Sequence, residues 1–151
     1  MTRKSLTALF FVLSLLMVLV SGCAQADEKG KAAETMKNVY AAAEKHDKKT
    51  FKDLFSHSNI ADEELNLSMI MFGDKADAAG GIKNLKFTEI PKDKLKDDAA
   101  KMLTDQYKDN WQVVYEESKV STPYFWIIQK LDGKYYVVNG DESAKKDIVK
   151  E

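Results

Sequence analysis

One hairpin constrains this chain more than any other stretch. The pair Asp132-Gly133 sits between two apolar runs, PYFWIIQKL and KYYVVN. A two-residue Asp-Gly loop favours a type I′ turn, whose central residues both take positive φ. That turn sets the register: Leu131 opposes Lys134, Gln129 opposes Tyr136 and Ile127 opposes Val138. Phe125, Ile127, Leu131, Tyr136 and Val138 then share one face. Tyr124, Trp126, Ile128, Tyr135 and Val137 share the other. Both faces are apolar, whereas a sheet with one wet face alternates apolar and polar. The second face is therefore expected to be covered, by a pocket, by sheet curvature or by a partner.

The rest of the chain supplies more strand and a set of helices. WQVVYEE, Trp111 to Glu117, reads as a strand, and GIKNLKFTEI, Gly81 to Ile90, as another. KAAETMKNVYAAAEKH places Ala32, Met36, Val39, Tyr40 and Ala43 on one helical stripe. Asp47 is placed to cap a second helix, KKTFKDLFS, which turns Phe51, Leu54 and Phe55 inward. ADEELNLSMIMFGD is expected to form a turn or short helix through Leu65, Met69 and Phe72, and DAAGG then breaks the chain. A further helix is expected from Lys92 to Asp109, with Leu95, Ala99, Met102, Leu103 and Gln106 along its stripe. The fold class is α+β, with N-terminal helices and a C-terminal set of antiparallel strands.

The N-terminus carries an address. Arg3 and Lys4 precede an uncharged apolar run, Leu6 to Val20, followed by Ser21, Gly22 and Cys23. A basic start, an apolar stretch and a small-residue cleavage site make a secretory signal. A spanning helix needs about 20 apolar residues, and this run is shorter. Val20-Ser21-Gly22-Cys23 resembles the bacterial lipobox. The resemblance implies cleavage before Cys23, a diacylglycerol on its thiol and an acylated new N-terminus. One acyl chain anchors only marginally and several anchor firmly. The organisation is then residues 1–22 as signal peptide, 23–30 as lipidated tether and 31–151 as one α+β domain. In bacteria with two membranes, the resemblance implies outer-membrane sorting, because Ala24 rather than Asp follows the cysteine. With one membrane, it implies the outer face of the plasma membrane.

Charge and cysteine count exclude several functions. Losing Arg3 and Lys4, with no acid lost, takes the net charge from −1 to −3. That is a poor footprint for nucleic acid, which favours a basic face. Cys23 is the only cysteine, so the domain has no disulfide, thiolate metal cage or thiol nucleophile of its own. His46 and His57 lie too far apart in sequence for a helical i, i+4 ligand pair and read as surface or capping residues. No metal and no cofactor are expected.

AAAEKHDKKTFKDLFS and PYFWIIQKLDGKYYVV resemble the start and end of small bacterial lipoproteins with a cystatin-like, nuclear transport factor two-like cone domain. The resemblance implies an early helix pair packed across a curved antiparallel sheet. One departure is visible: a single strand precedes the late helix, where the cone often has two. That fold hosts isomerases, dehydratases, ligand carriers and dimerisation modules, so function rests on the site. An acid/base site there needs a carboxylate or histidine on the apolar face, its pKa shifted by burial. No Asp, Glu or His lies inside an apolar strand run, and Glu116 and Glu117 read as exposed strand-end residues. The chain thus reads as a non-catalytic binding or interaction module, with a homodimer partner or a hydrophobic small ligand expected. Tyr124, Trp126 and Tyr135 are the candidate pocket or interface residues, and core packing is their plain alternative. The alternative function is a cone-fold enzyme of isomerase or dehydratase type acting on a small organic molecule.

Overall fold

Among the described residues, three helices come first: α1 (Lys31–Glu44), α2 (Lys48–Leu54) and α3 (Asp62–Ala78). Strand β1 (Lys86–Ile90) follows, then α4 (Asp97–Tyr107), β2 (Trp111–Glu117), β3 (Tyr124–Leu131), β4 (Lys134–Glu142) and a last turn of helix, α5 (Lys145–Ile148). The computed structural model describes residues 28–119 and 121–150. The leader, Cys23, Ala24 and the start of the tether lie outside the described residues. Lys31–Glu151 forms one compact unit, and the description below is of that unit. Among the described residues, no helix is long and apolar enough to cross a membrane.

The expected stripe of α1 is buried in full, from Ala32 and Met36 through Val39, Tyr40 and Ala43. His46 closes this helix in a left-handed conformation, φ +51°. Asp47 then caps α2 as expected: its carboxylate accepts from the Thr50 amide at 3.1 Å and the Thr50 hydroxyl at 2.6 Å. The third helix is a correction. The expected short turn is the longest helix described, 17 residues, with Leu65, Met69, Phe72 and Ala76 on its buried side. Asp62, Glu63 and Glu64 in its first turn suit the positive end of the helix dipole. The break falls where expected, at Gly80 and Gly81, both at positive φ.

The first strand is shorter than expected. Ile82–Asn84 forms a 3-10 turn, where the Asn84 side-chain N–H₂ donates to the carbonyls of Ala79 and Gly80 and keeps the chain coiled. The late helix is also corrected. Lys92–Lys94 is a separate 3-10 turn, and Leu95 is extended to bridge Val149. The α-helix begins only at Asp97, and its inward residues are Leu103, Ala100 and Tyr107. Met102, expected inside, is 60 % exposed, and Gln106 is exposed as well.

The four strands form one antiparallel sheet in the order β1-β2-β3-β4. Asp132 and Gly133 take φ +49° and +79°, as the type I′ loop requires. Leu131 opposes Lys134 and Gln129 opposes Tyr136, as the loop dictates. Beyond Ile128 the register slips: Ile127 opposes Asn139, not Val138. A bulge absorbs one residue of β4, and the strand runs on to Glu142, past its expected end at Asn139.

Each sheet face has its own core. Trp126, Ile128, Val137 and Val114 pack beneath α1, α2 and α3, joined by Tyr124 and Tyr135. Phe125, Tyr115, Val113 and Trp111 form the other, with Ile127 at its edge. The segregation of Phe125 and Ile127 from Tyr124, Trp126, Ile128, Tyr135 and Val137 is the one that alternation demands. The second face is covered by the chain itself: Leu95, Leu103, Ile148 and Val149 lie over it. The Lys96 amide donates to the Ile148 carbonyl, and the Lys150 amide to the Lys94 carbonyl, which holds the C-terminal segment down. The second apolar face, expected to be covered by a pocket, by sheet curvature or by a partner, is closed by the chain's own α4 and C-terminal segment.

Candidate functional site

The buried polar centre of the protein is Glu116, which is only 1 % exposed. This corrects the expectation that it is a solvated strand end. In β2, Trp111, Val113 and Tyr115 point to the second core, while Val114 and Glu116 point to the helices. Glu116 therefore projects into the apolar layer under α1 and α3. Three elements supply its partners. Tyr40 on α1 donates its hydroxyl to Oε1 at 2.7 Å. Trp126 on β3 donates its indole N–H to Oε2 at 2.6 Å. Lys75 on α3 pairs with Oε1 as well. A buried charge that is paired and hydrogen-bonded escapes most of the cost of leaving water. Burial, and next the Glu116 charge, push the Tyr40 phenol far above its ordinary value. Tyr40 stays a neutral donor at every ordinary pH.

A cleft of about 430 Å³ opens beside this cluster, between α3 and the ends of β3 and β4. Tyr124 and Trp126 form one wall, their rings stacked at 4.4 Å and 25°. Phe72 and Met71 of α3 form the other, with the Phe72 ring 5.3 Å from that of Trp126. Lys75 and Tyr40 reach its inner end, and Asp74 and Glu142 stand at its rim. The aromatic wall depends on Gly140, which lies opposite Trp126 on β4. A Cβ there would come within 2.5 Å of the Trp126 ring and 2.7 Å of the Tyr124 ring. Only a residue without a side chain leaves both rings flat against the strand.

The three candidate aromatics are not one site. Tyr124 and Trp126 share the cleft, but Tyr135 lines a separate depression with Thr35, Asn38 and Leu54. Trp126 is also structural, since its ring is buried and its N–H is spent on Glu116. The histidines do not meet either: His57 packs its ring 4.4 Å from Tyr136, and His46 ends α1. Among the described residues, no group of three His, Cys, Asp or Glu is placed to hold a metal ion. Cys23, the expected lipidation site, lies outside the described residues.

The chain matches no protein-family model, no curated protein and no solved structure.

Sequence reasoning missed Glu116, Tyr40, Lys75 and Gly140 as members of one site. One signal was available for Glu116. In β2 it stands two residues from Val114, so period-2 alternation assigns both to the same buried face. For Lys75 and Gly140 there was none, because their roles come from residues remote in the chain.

Proposed function

We propose that this chain is a lipid-anchored lipoprotein of the bacterial cell envelope whose domain is a non-catalytic binding module. The cleft between α3 and the β3–β4 edge would take a small molecule with an apolar body. The observation that carries this reading is the stacked Tyr124–Trp126 wall facing Phe72 and Met71. A concave apolar site with a few convergent polar groups is the usual form of a small-molecule pocket. We assign the domain to the cystatin-like, nuclear transport factor two-like cone type. Helices α1 to α3 laid over one face of a four-stranded antiparallel sheet support that assignment. The leader supports acylation at Cys23, with the outer membrane as address where the host has one and the outer face of the plasma membrane otherwise.

Two experiments test it. Cys23→Ser should move the protein from the membrane fraction to the soluble one, and a variant that still sediments with membranes defeats the anchor. Native mass spectrometry of protein purified gently from its host should find a monomer carrying a discrete small-molecule mass. A dimer with an empty cleft would replace ligand binding with subunit association.

A second reading is an enzyme of isomerase or dehydratase type, and one observation favours it: a buried carboxylate lies beside the cleft. Against it, Glu116 is buried from the cleft behind Tyr40, Lys75 and Trp126, and Tyr40 is held neutral. A general base needs a lone pair within reach of the substrate proton. Incubating the protein with its own co-purified molecule separates the two: a changed mass favours the enzyme, an unchanged mass the binding module.

A further inference from the structure

We propose that the α3–β3 cleft binds an organic cation, a molecule with an apolar body and one ammonium-type group seated against the Tyr124–Trp126 stack. This deepens the binding-module reading and rests on it.

The cleft's charge is lopsided. Two carboxylates stand at its rim: Asp74 on α3, and Glu142 directly opposite Tyr124 on β4. Neither forms an ion pair among the described residues. Among the described residues, the only basic one lining the cleft is Lys75, and its charge is matched by Glu116. The inner pair is neutral as a unit, so the cleft carries two uncompensated negative charges. Burial first, and then Asp141, Glu142 and Glu116, hold the Tyr124 phenol above its ordinary value.

The aromatic wall selects for the same sign. The face of an aromatic ring carries the negative end of its quadrupole, and Trp and Tyr faces attract ammonium groups within about 6 Å. The Trp126 ring cannot turn edge-on, because its N–H is tied to Glu116 and Gly140 lies beneath it. Trp126 is buried beneath Tyr124 and Phe72, so the ring offered to the cleft is the half-buried Tyr124, which the fixed indole backs. An anion would meet the two carboxylates at the rim. The apolar body has its own place against Phe72 and Met71.

The test uses three probes of one shape and different charge: 4-phenylbutylammonium, 4-phenylbutanol and 4-phenylbutanoate. Each is titrated at pH 7 and low salt into residues 24–151, which contain the whole compact unit and both of its cores. The ammonium should bind about tenfold tighter than the alcohol, and the carboxylate weakest. Added salt should weaken the ammonium selectively. The double variant Asp74→Asn/Glu142→Gln, at two exposed side chains, should bring the ammonium down to the level of the alcohol. Equal binding of ammonium and alcohol, or tightest binding of the carboxylate, overturns the cation assignment while the binding reading stands. No binding of any probe at millimolar concentration overturns the binding reading, and the assignment with it.

Discussion

The Tyr40 hydroxyl on α1 donates to Glu116 Oε1 on β2 at 2.7 Å, joining residues 76 positions apart through a buried carboxylate. The same carboxylate holds Trp126 and Lys75. One side chain thus ties the helical layer to the sheet and orients the aromatic wall of the cleft. A fully satisfied polar network of this kind is costly to break at a single member.

Removing that member should be expensive. Glu116→Gln leaves Lys75 without its counter-charge and sets an amide N–H₂ against other donors. The expected loss is about 3 kcal/mol in urea unfolding. Replacing three members together, as Glu116→Leu, Tyr40→Phe and Lys75→Met, should recover part of it, since a buried ion pair is often no better than matched apolar packing, while the Trp126 N–H is left without its acceptor. A single variant as stable as the parent would show that the cluster contributes nothing to folding.

The raised Tyr40 phenol makes a claim about alkaline pH. Its folded value lies above the ordinary 10.0. Above that pH the unfolded chain gives up the phenol proton and the folded chain keeps it. The stabilisation is complete below pH 10 and is lost as pH rises further toward the folded value. Unfolding free energies measured from about pH 9 to 11 should fall, and Tyr40→Phe should flatten the fall. An identical slope in the variant would assign the loss to other groups.

Gly140 should resist any side chain. The added Cβ of Gly140→Ala meets two aromatic rings, not a flexible chain end. Overpacking of this kind costs about 1–3 kcal/mol. The variant should also change Trp126 emission, because the ring must move. Unaltered emission with unaltered stability would mean that β4 yields instead, and that the glycine does not shape the wall.

Glu89 on β1 reaches the start of α1, where its carboxylate accepts from the Ala32 amide at 2.8 Å and the Ala33 amide at 3.1 Å. An acid at a helix N-terminus satisfies orphan amides and complements the dipole. Glu89→Ala should cost about 1–2 kcal/mol and speed hydrogen exchange at the first turn of α1. Glu89→Gln, which keeps an acceptor, should cost less. Equal protection in all three proteins would count against this long-range cap.

What the sequence determined by itself is what local geometry controls. Alternation sorted Phe125 and Ile127 from Trp126 and Ile128, and Asp132-Gly133 set the hairpin register at its closed end. The α1 stripe and the Asp47 cap follow equally from spacing and from one side chain's reach. The length of α3 was hidden because Leu67, Ile70 and Met71 place apolar residues on its outer side too, which blurs the stripe. The phase of α4 was misread because Leu95 belongs to an extended bridge with Val149, not to the helix. Tertiary structure alone decided the slip at Val138, the covering of the second face and the site itself. A carboxylate at a strand end is solvated or buried according to what lies above it. For Glu116 that depends on Tyr40, Lys75 and Trp126, delivered by three separate elements. Sequence spacing carries contacts within an element, and contacts between elements exist only once the layers have packed.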